Sequence, residues 1–287
     1  MGGFDPNEGW IKAAAVPGFK ARLRRQRLAK LTTILRLYPH RLPGILSDQR
    51  AMAKVGGALD VRCRMGRLQL DRPHAVAQLR EIVVAGAYAA PGFVPRTGWR
   101  VVDVGANLGF YSAWAMSFMR SGDVVAIEAV PDTYKLMRAN LMACRPAGVR
   151  AATFNFAVAD RRGAVEFVVP DDYSNFARAA SHLGTLGDVT GLRHQALPAD
   201  TLDGILGFSE LDGSSVNLLK IDVEGSEADC LSGAVAVLQR TERVVLEHHS
   251  EELLSACSDL LERAGFRRRA LRLSLVNDAV GTSFWSR

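Results

Sequence analysis

The chain has 287 residues, 48% of them hydrophobic, enough for one large packed domain with an appendage and too apolar for disorder to be the default. Its four cysteines, Cys63, Cys144, Cys230 and Cys257, lie far apart with no CxxC pair, which argues against a zinc ribbon or a secreted disulfide framework and for a reducing, cytoplasmic setting. No run reaches the roughly 18 apolar residues of a transmembrane span, MGGFDPNEGW has no signal-peptide character, and the net charge of +6 is divided into +12 over residues 1–100 and −6 over the rest.

From Phe19 to Leu42, Leu23, Leu28, Leu31, Ile34, Leu35 and Leu42 fall near helical spacing beside the densely basic stretch Lys20 to Lys30, which predicts one or two amphipathic helices. Pro39 and Pro43 break that pattern, and Gly56-Gly57 marks a loop before Leu59 to Leu70, which reads as a short hairpin around Met65-Gly66. A helix is expected over His74 to Ala87. Pro91, Gly92, Pro95 and Gly98 then form the clearest boundary, so residues 1–95 read as a basic, mainly helical extension and 96–287 as the main domain. The basic segment is a solvated helix or meets an acidic partner; with Phe19 and Tyr38 the only aromatic residues from Phe19 to Gly57, nucleic acid is not the expected partner.

Beyond the boundary, Arg100 to Val104 (strand), Phe110 to Arg120 (helix) and Asp123 to Glu128 (strand) form a βαβ unit. Further strands are expected at 152–157, 165–169, 216–221, 244–247 and 271–276, with helices over 133–144, 226–238 and 250–264. Such alternation implies an α/β fold with a doubly wound, mostly parallel sheet, whose ligands bind outside the carboxyl ends of the strands near a topological switch point.

The segment Val101 to Ser112, VVDVGANLGFYS, is an apolar strand that turns through glycines into a helix. A dinucleotide site needs G-x-G-x-x-G so that backbone can approach a pyrophosphate, but Asn107 stands in the place of the second glycine. Asp103 would repel a diphosphate and attract the cationic end of S-adenosylmethionine, so the loop favours that cofactor over NAD. Glu128, 23 positions after Gly105, ends the next strand where an acid accepts hydrogen bonds from ribose hydroxyls. The bland alternative is a tight turn and a solvated strand end.

With these residues in place, the chain resembles the FkbM-type family of S-adenosylmethionine-dependent methyltransferases, whose members methylate hydroxyl groups. The resemblance is carried by DVGANLGFYS, EAVPDTYKLMRANL from Glu128, NFAVADRRG from Asn155, LPADTLDGIL from Leu197, LLKIDVEGSEADCLSGA from Leu218 and VVLEHHS from Val244, and spans roughly residues 60–287. It implies a Rossmann-like methyltransferase fold that binds S-adenosylmethionine through Asp103, Gly105, Ala106, Asn107, Gly109, Glu128, Ala129, Ala157 and Asp222. Two positions depart from the family pattern: Ala89, usually acidic, and Ala129, usually proline. Residues 1–55 lie outside the resemblance and serve substrate binding, oligomerisation or partner contact.

Methyl transfer to oxygen needs a group that takes the acceptor's proton. Candidates end two core strands: Asp222 and Glu224 after LLKI, and Glu247, His248 and His249 after VVL. Glu247 and His249 match the family segment, and strand alternation points them one way and His248 the other. His249 is accordingly the expected general base, with Asp222 and Glu224 lining the pocket. A second reading makes Asp222, Glu224 and His249 ligands of Mg²⁺. Against both stands a structural reading in which Asp222 caps the following helix and Glu224 and Glu227 favour its dipole. Tyr173 to Pro198, with His182 and His194, reads as an irregular, mobile cover. The expected acceptor is a hydroxyl of a small molecule, glycoside or secondary metabolite, acidic or phosphorylated if Arg24, Arg25 and Arg27 contact it. The alternatives are RNA or lipid recruited by the basic N-terminus, or a catalytically silent binding protein. A homo-oligomer is left open.

Overall fold

A computed structural model describes residues 59–63, 65–70, 73–83, 85–170, 178–179, 192–209, 213–274 and 278–287. The helices expected within 19–42, the role of residues 1–55, and His182 fall outside them.

The chain opens with an antiparallel hairpin, β1 (Leu59–Cys63) and β2 (Gly66–Leu70), then α1 (Pro73–Val83). There follow β3 (Arg100–Val104), α2 (Phe110–Met116), β4 (Gly122–Ile127), α3 (Pro131–Cys144) and β5 (Val149–Phe154). Short strands β6 (Ala157–Val158) and β8 (Arg178–Ala179) join the longer β7 (Gly163–Pro170) and β9 (Leu192–Asp200) in a second sheet ordered β6-β9-β7-β8. The remainder is α4 (Leu202–Gly207), β10 (Leu218–Ile221), α5 (Glu227–Ser232), α6 (Val235–Gln239), β11 (Arg243–His248), α7 (Glu251–Arg263), β12 (Arg267–Leu273) and β13 (Gly281–Ser286).

The main sheet runs β12-β13-β11-β10-β3-β4-β5. From β11 to β5 every pairing is parallel; β13 is antiparallel to both β11 and β12. This is the Rossmann-like, doubly wound sheet that the sequence predicts. Parallel strands covered on both faces must be apolar throughout, as VVDV, VVAI, LLKI and RVVL nearly are. One face packs on Leu68, Tyr111, Trp114, Met116, Met137 and Leu141, the other on Ile205, Leu231, Val237, Leu261 and Phe266. Within these runs Asp103 on β3 and Lys220 on β10 are buried charges, at 0% and 2% exposure, facing each other in register.

From β3 the chain winds outward to β4 and β5 on one side, and returns later to β10 on the other. The carboxyl ends of β3 and β10 therefore open a crevice between them. The hairpin is fastened to this region by buried Asn140 of α3, which exchanges hydrogen bonds with the Gln69 backbone (2.6 and 3.0 Å) and donates to Leu108 O (2.9 Å).

Several expectations need correction. The helix predicted over 226–238 is two, α5 and α6, because the chain must pass close to Ala159 at Gly233, where a Cβ would stand 2.1 Å from Ala159 O. Leu192–Pro198, expected to be irregular, belongs to β9 and pairs along β7. The last predicted strand starts earlier, at Arg267, and β13 and α4 were not expected. No described helix is long and apolar enough to cross a membrane. Cys144, Cys230 and Cys257 are buried thiols that form no disulfide among the described residues.

Candidate active site

At the end of β3 the backbone enters the left-handed region at Gly105 (φ 69°), Asn107 (φ 49°) and Gly109 (φ 80°). Gly105 has no substitute: a Cβ would stand 1.7 Å from Asp222 O, so β10's exit loop and the glycine turn touch backbone to backbone. Gly109 begins α2, where a Cβ would press on Met137 and Leu141 at 3.1–3.3 Å. The loop is tied to β4 by Glu128, whose carboxylate accepts from Asn107 N and Val130 N, both at 2.9 Å. Burial pushes the Glu128 carboxyl up to about 7, against the opposing pull of those two N–H groups.

Beyond the loop lies a cleft of about 450 Å³, floored by Gly105, Asn107 and Glu128 and walled by Ile127, Ala129, Phe156, Ala157, Val158 and Val223. Its size suits a nucleoside-sized ligand. Among the described residues its charged lining is Glu128, Asp160, Glu166, Asp222, Glu224 and Asp229 against Arg161, which fits a cationic ligand and disfavours a diphosphate. Glu128 also has capacity to spare: a carboxylate accepts about four hydrogen bonds, and two are used. A cis-diol fits the remainder.

Asp103 sits elsewhere than the sequence suggests. Its Oδ2 accepts from Ser112 Oγ (2.6 Å) and its Oδ1 lies 3.1 Å from Lys220 Nζ; it does not line the cleft. Lys220 also donates to Gly105 O (2.9 Å) and lies over the rings of Tyr88 and Tyr111. Burial alone would lower its pKa, but the charges of Asp103 and Asp222 more than reverse this, so the ammonium stays charged. The pair braces the glycine turn from below. A lysine in the middle of LLKI was the available signal, since charged residues are almost never fully buried without a partner.

A second cleft, about 350 Å³, meets the first at Gln78, Gly105, Asn107, Asp222 and Glu224. Its lining adds Glu81, Tyr88, Phe110, Tyr111, Lys220, Glu247 and His249. Glu247 and His249 thus share this side. His248 points away into the sheet, fully buried, with neither ring nitrogen hydrogen-bonded among the described residues; burial lowers its pKa. Tyr88, not singled out from the sequence, holds the two strand ends together: its hydroxyl contacts Asp222 Oδ2 (3.0 Å) and Glu247 Oε2. One hydroxyl hydrogen serves one of these oxygens. Burial and the Asp222 charge push the Glu247 carboxyl up to about 8, so it carries the second hydrogen at neutral pH.

His249 is held by Glu227, whose Oε1 lies 2.9 Å from Nδ1 and also accepts from Gly225 N (3.0 Å). Its Nε2 faces Glu224 Oε2 at 3.4 Å and Asp222 Oδ1 at 3.9 Å. Burial opposes the charged ring, but the Glu227 bond and the Glu224 and Asp222 charges raise it to about 10. Asp222 does not cap α5, whose N-cap is Ser226 with no side-chain cap, whereas Glu227 does stand in the first turn of that helix, fully buried. Glu224 adopts a left-handed backbone, φ 52°. His194 is exposed, on β9 beside Glu166 at 2.9 Å. The structure therefore groups Gly105, Asn107, Glu128, Ala129, Ala157, Asp222 and Glu224 around one cleft, with His249 on the adjoining one. Asp103 lies beneath them, and Ala106 lines the second cleft.

A family model described as Methyltransferase FkbM domain matches residues 103–268. A curated relative, the AMB antimetabolite synthetase AmbE of Pseudomonas aeruginosa, is 29% identical over 238 residues; the match covers 71% of this chain but only 11% of that protein. Among solved structures, a methyltransferase FkbM from Methylobacillus flagellatus is 12% identical with a TM-score of 0.46, covering 88% of this chain and 60% of that one. Aeropyrum pernix fibrillarin, solved with natively bound S-adenosyl-L-methionine, is 10% identical with a TM-score of 0.43, covering 73% and 74%.

Proposed function

Since the chain belongs to the FkbM methyltransferase family, whose model spans more than half of it, we propose that it is an S-adenosylmethionine-dependent O-methyltransferase acting on a hydroxyl of a small molecule, glycoside or secondary metabolite in the cytoplasm. The observation that carries this reading is the meeting of two clefts at Gly105, Asn107, Asp222 and Glu224. One has the shape and charge for a cationic nucleoside, the other the size for an acceptor. When bound, S-adenosylmethionine supplies a sulfonium methyl as electrophile.

In this reading Glu128 accepts from the ribose hydroxyls, Phe156, Ala157 and Val158 enclose the base, and the carboxylates at the junction attract the cationic end. An acceptor hydroxyl placed over Asp222, Glu224 and His249 lies beside groups that can orient it and take its proton. Proton removal falls to the carboxylates of Asp222 and Glu224, with His249 orienting them, because the imidazole, raised to about 10, already carries both its protons at neutral pH. The acceptor cleft draws Gln78, Glu81 and Tyr88 from before residue 96, and Gln78 also lines the cofactor cleft, which supports a role for this segment in shaping both. The cleft's charged lining is mainly carboxylate, which supports a neutral or cationic acceptor over an acidic one.

The test is calorimetric titration of S-adenosylmethionine into wild-type chain and Glu128→Ala, followed by a methyl-transfer screen of hydroxyl compounds. Binding that is lost in the variant, with product formed from a hydroxyl acceptor, is expected. A folded wild type that binds no cofactor overturns the reading.

A further inference from the structure

We propose that Asp222, Glu224 and His249 bind one divalent cation of the Mg²⁺ or Mn²⁺ type where the two clefts meet. As to its purpose, this inference rests on the methyltransferase reading above; its evidence is separate. Each of the three residues offers one ligand atom, and the three atoms lie within 4.8 Å of one another. In an octahedral shell at about 2.1 Å, adjacent ligands stand about 3.0 Å apart and opposite ones about 4.2 Å. The Nε2 separations of 3.4 Å from Glu224 and 3.9 Å from Asp222 fall between those values and are long for hydrogen bonds.

The trio is not an acidic cluster alone. His249 is set up as a ligand: Glu227, with its side chain fully buried, takes Nδ1 at 2.9 Å and so aims Nε2 at the two carboxylates. A carboxylate behind a histidine, fixing its tautomer and ring angle, is the usual support of a metal-bound imidazole. The second oxygen of Glu227, Oε2, is buried without a hydrogen-bond partner among the described residues, as is Asp222 Oδ1, the atom nearest Nε2 on that side chain. The nearby ammonium of Lys220 is bound to Asp103 and Gly105 O, and lies 3.6 Å from the other Asp222 oxygen. A cation on the open side of the trio takes the place of the proton on His249 Nε2, which leaves to solvent, and gives Asp222 Oδ1 a partner.

Two carboxylate oxygens and one imidazole nitrogen select a cation that prefers oxygen while accepting one nitrogen, rather than a thiolate-seeking ion. Three protein ligands leave three octahedral positions for water or a hydroxyl group. An acceptor hydroxyl bound there would lose its proton more readily.

The experiment is Mn²⁺ titration of the full chain, without cofactor or acceptor, reading free Mn²⁺ by electron paramagnetic resonance, with Mg²⁺ added as competitor. One saturable site displaced by Mg²⁺ is expected, weakened at least tenfold in both Glu224→Gln and His249→Ala when circular dichroism and melting show them folded. No saturable uptake by folded wild type, or unchanged affinity in the two variants, overturns the inference and leaves His249 and Lys220 as counter-charges to these carboxylates. S-adenosylmethionine calorimetry on the same samples separates the two readings. A chain that binds cofactor and no Mn²⁺ loses only the cation; one that binds Mn²⁺ and no cofactor keeps the cation and loses the proposed activity.

Discussion

Glu227 and His249 come from different parts of the chain, α5 and the end of β11, yet Glu227 Oε1 lies 2.9 Å from His249 Nδ1 with the glutamate side chain fully buried. Burying a carboxylate is costly unless it is paired, so this contact holds the imidazole in one orientation. Glu227→Gln keeps the shape and removes the charge. We expect kcat for methyl transfer to fall about tenfold or more, while the KM for cofactor and the melting temperature stay near wild type. Steady-state kinetics with thermal melts check it. A parallel loss of both kcat and stability would mean that Glu227 only supports the fold.

Gly105 and Gly92 both have positive φ, 69° and 85°, but only Gly105 has backbone against the position of a Cβ. Gly92→Ala is expected to cost about 1 kcal/mol, the left-handed penalty alone. Gly105→Ala adds a clash with Asp222 O and should cost more than about 3 kcal/mol. Denaturant unfolding of both variants measures the difference.

The buried Lys220–Asp103 pair predicts non-additive mutations. Lys220→Met strands the Asp103 charge and should destabilise by about 3–5 kcal/mol. Adding Asp103→Asn removes the stranded charge, so the double variant should recover at least about 1 kcal/mol. Urea midpoints of the two single variants and the double close the cycle.

On the proposed cofactor site, Glu128 is expected to make both stability and cofactor binding depend on pH. Its carboxyl is raised from the ordinary 4.5 to about 7 in the folded chain. Between these values the folded state holds a proton that the unfolded state has released, so this group's stabilisation is full below pH 4.5 and lost as pH rises through about 7. Cofactor affinity should run the other way, because ribose hydroxyls donate to the ionised form, and should rise about tenfold between roughly pH 6 and pH 8. Calorimetry across that range, with Glu128→Gln showing no such rise, is the check.

Much of the molecule was legible in its pattern. The runs VVDV, LLKI and RVVL are apolar because parallel strands are buried on both faces, and that local regularity predicts strands, order of elements and sheet type. The glycine turn was equally plain, since the positive φ at Gly105 and Gly109 is a conformation that favours glycine. Glu128 could be placed by counting from the turn, and strand alternation put Glu247 and His249 on one side with His248 on the other.

What the sequence by itself determined, then, is the doubly wound α/β frame, the glycine turn after β3 and the carboxylates and histidines at the strand ends. Only the tertiary structure decided how those strand ends are wired. It set Asp103 beneath the turn against Lys220, brought Tyr88 across 134 residues to Asp222, put Glu227 behind His249, and slid β13 between β11 and β12. The physical reason is the same each time. Propensity and periodicity are properties of neighbouring residues, whereas the partner of a buried charge is chosen by which distant side chain the packed sheet leaves within reach.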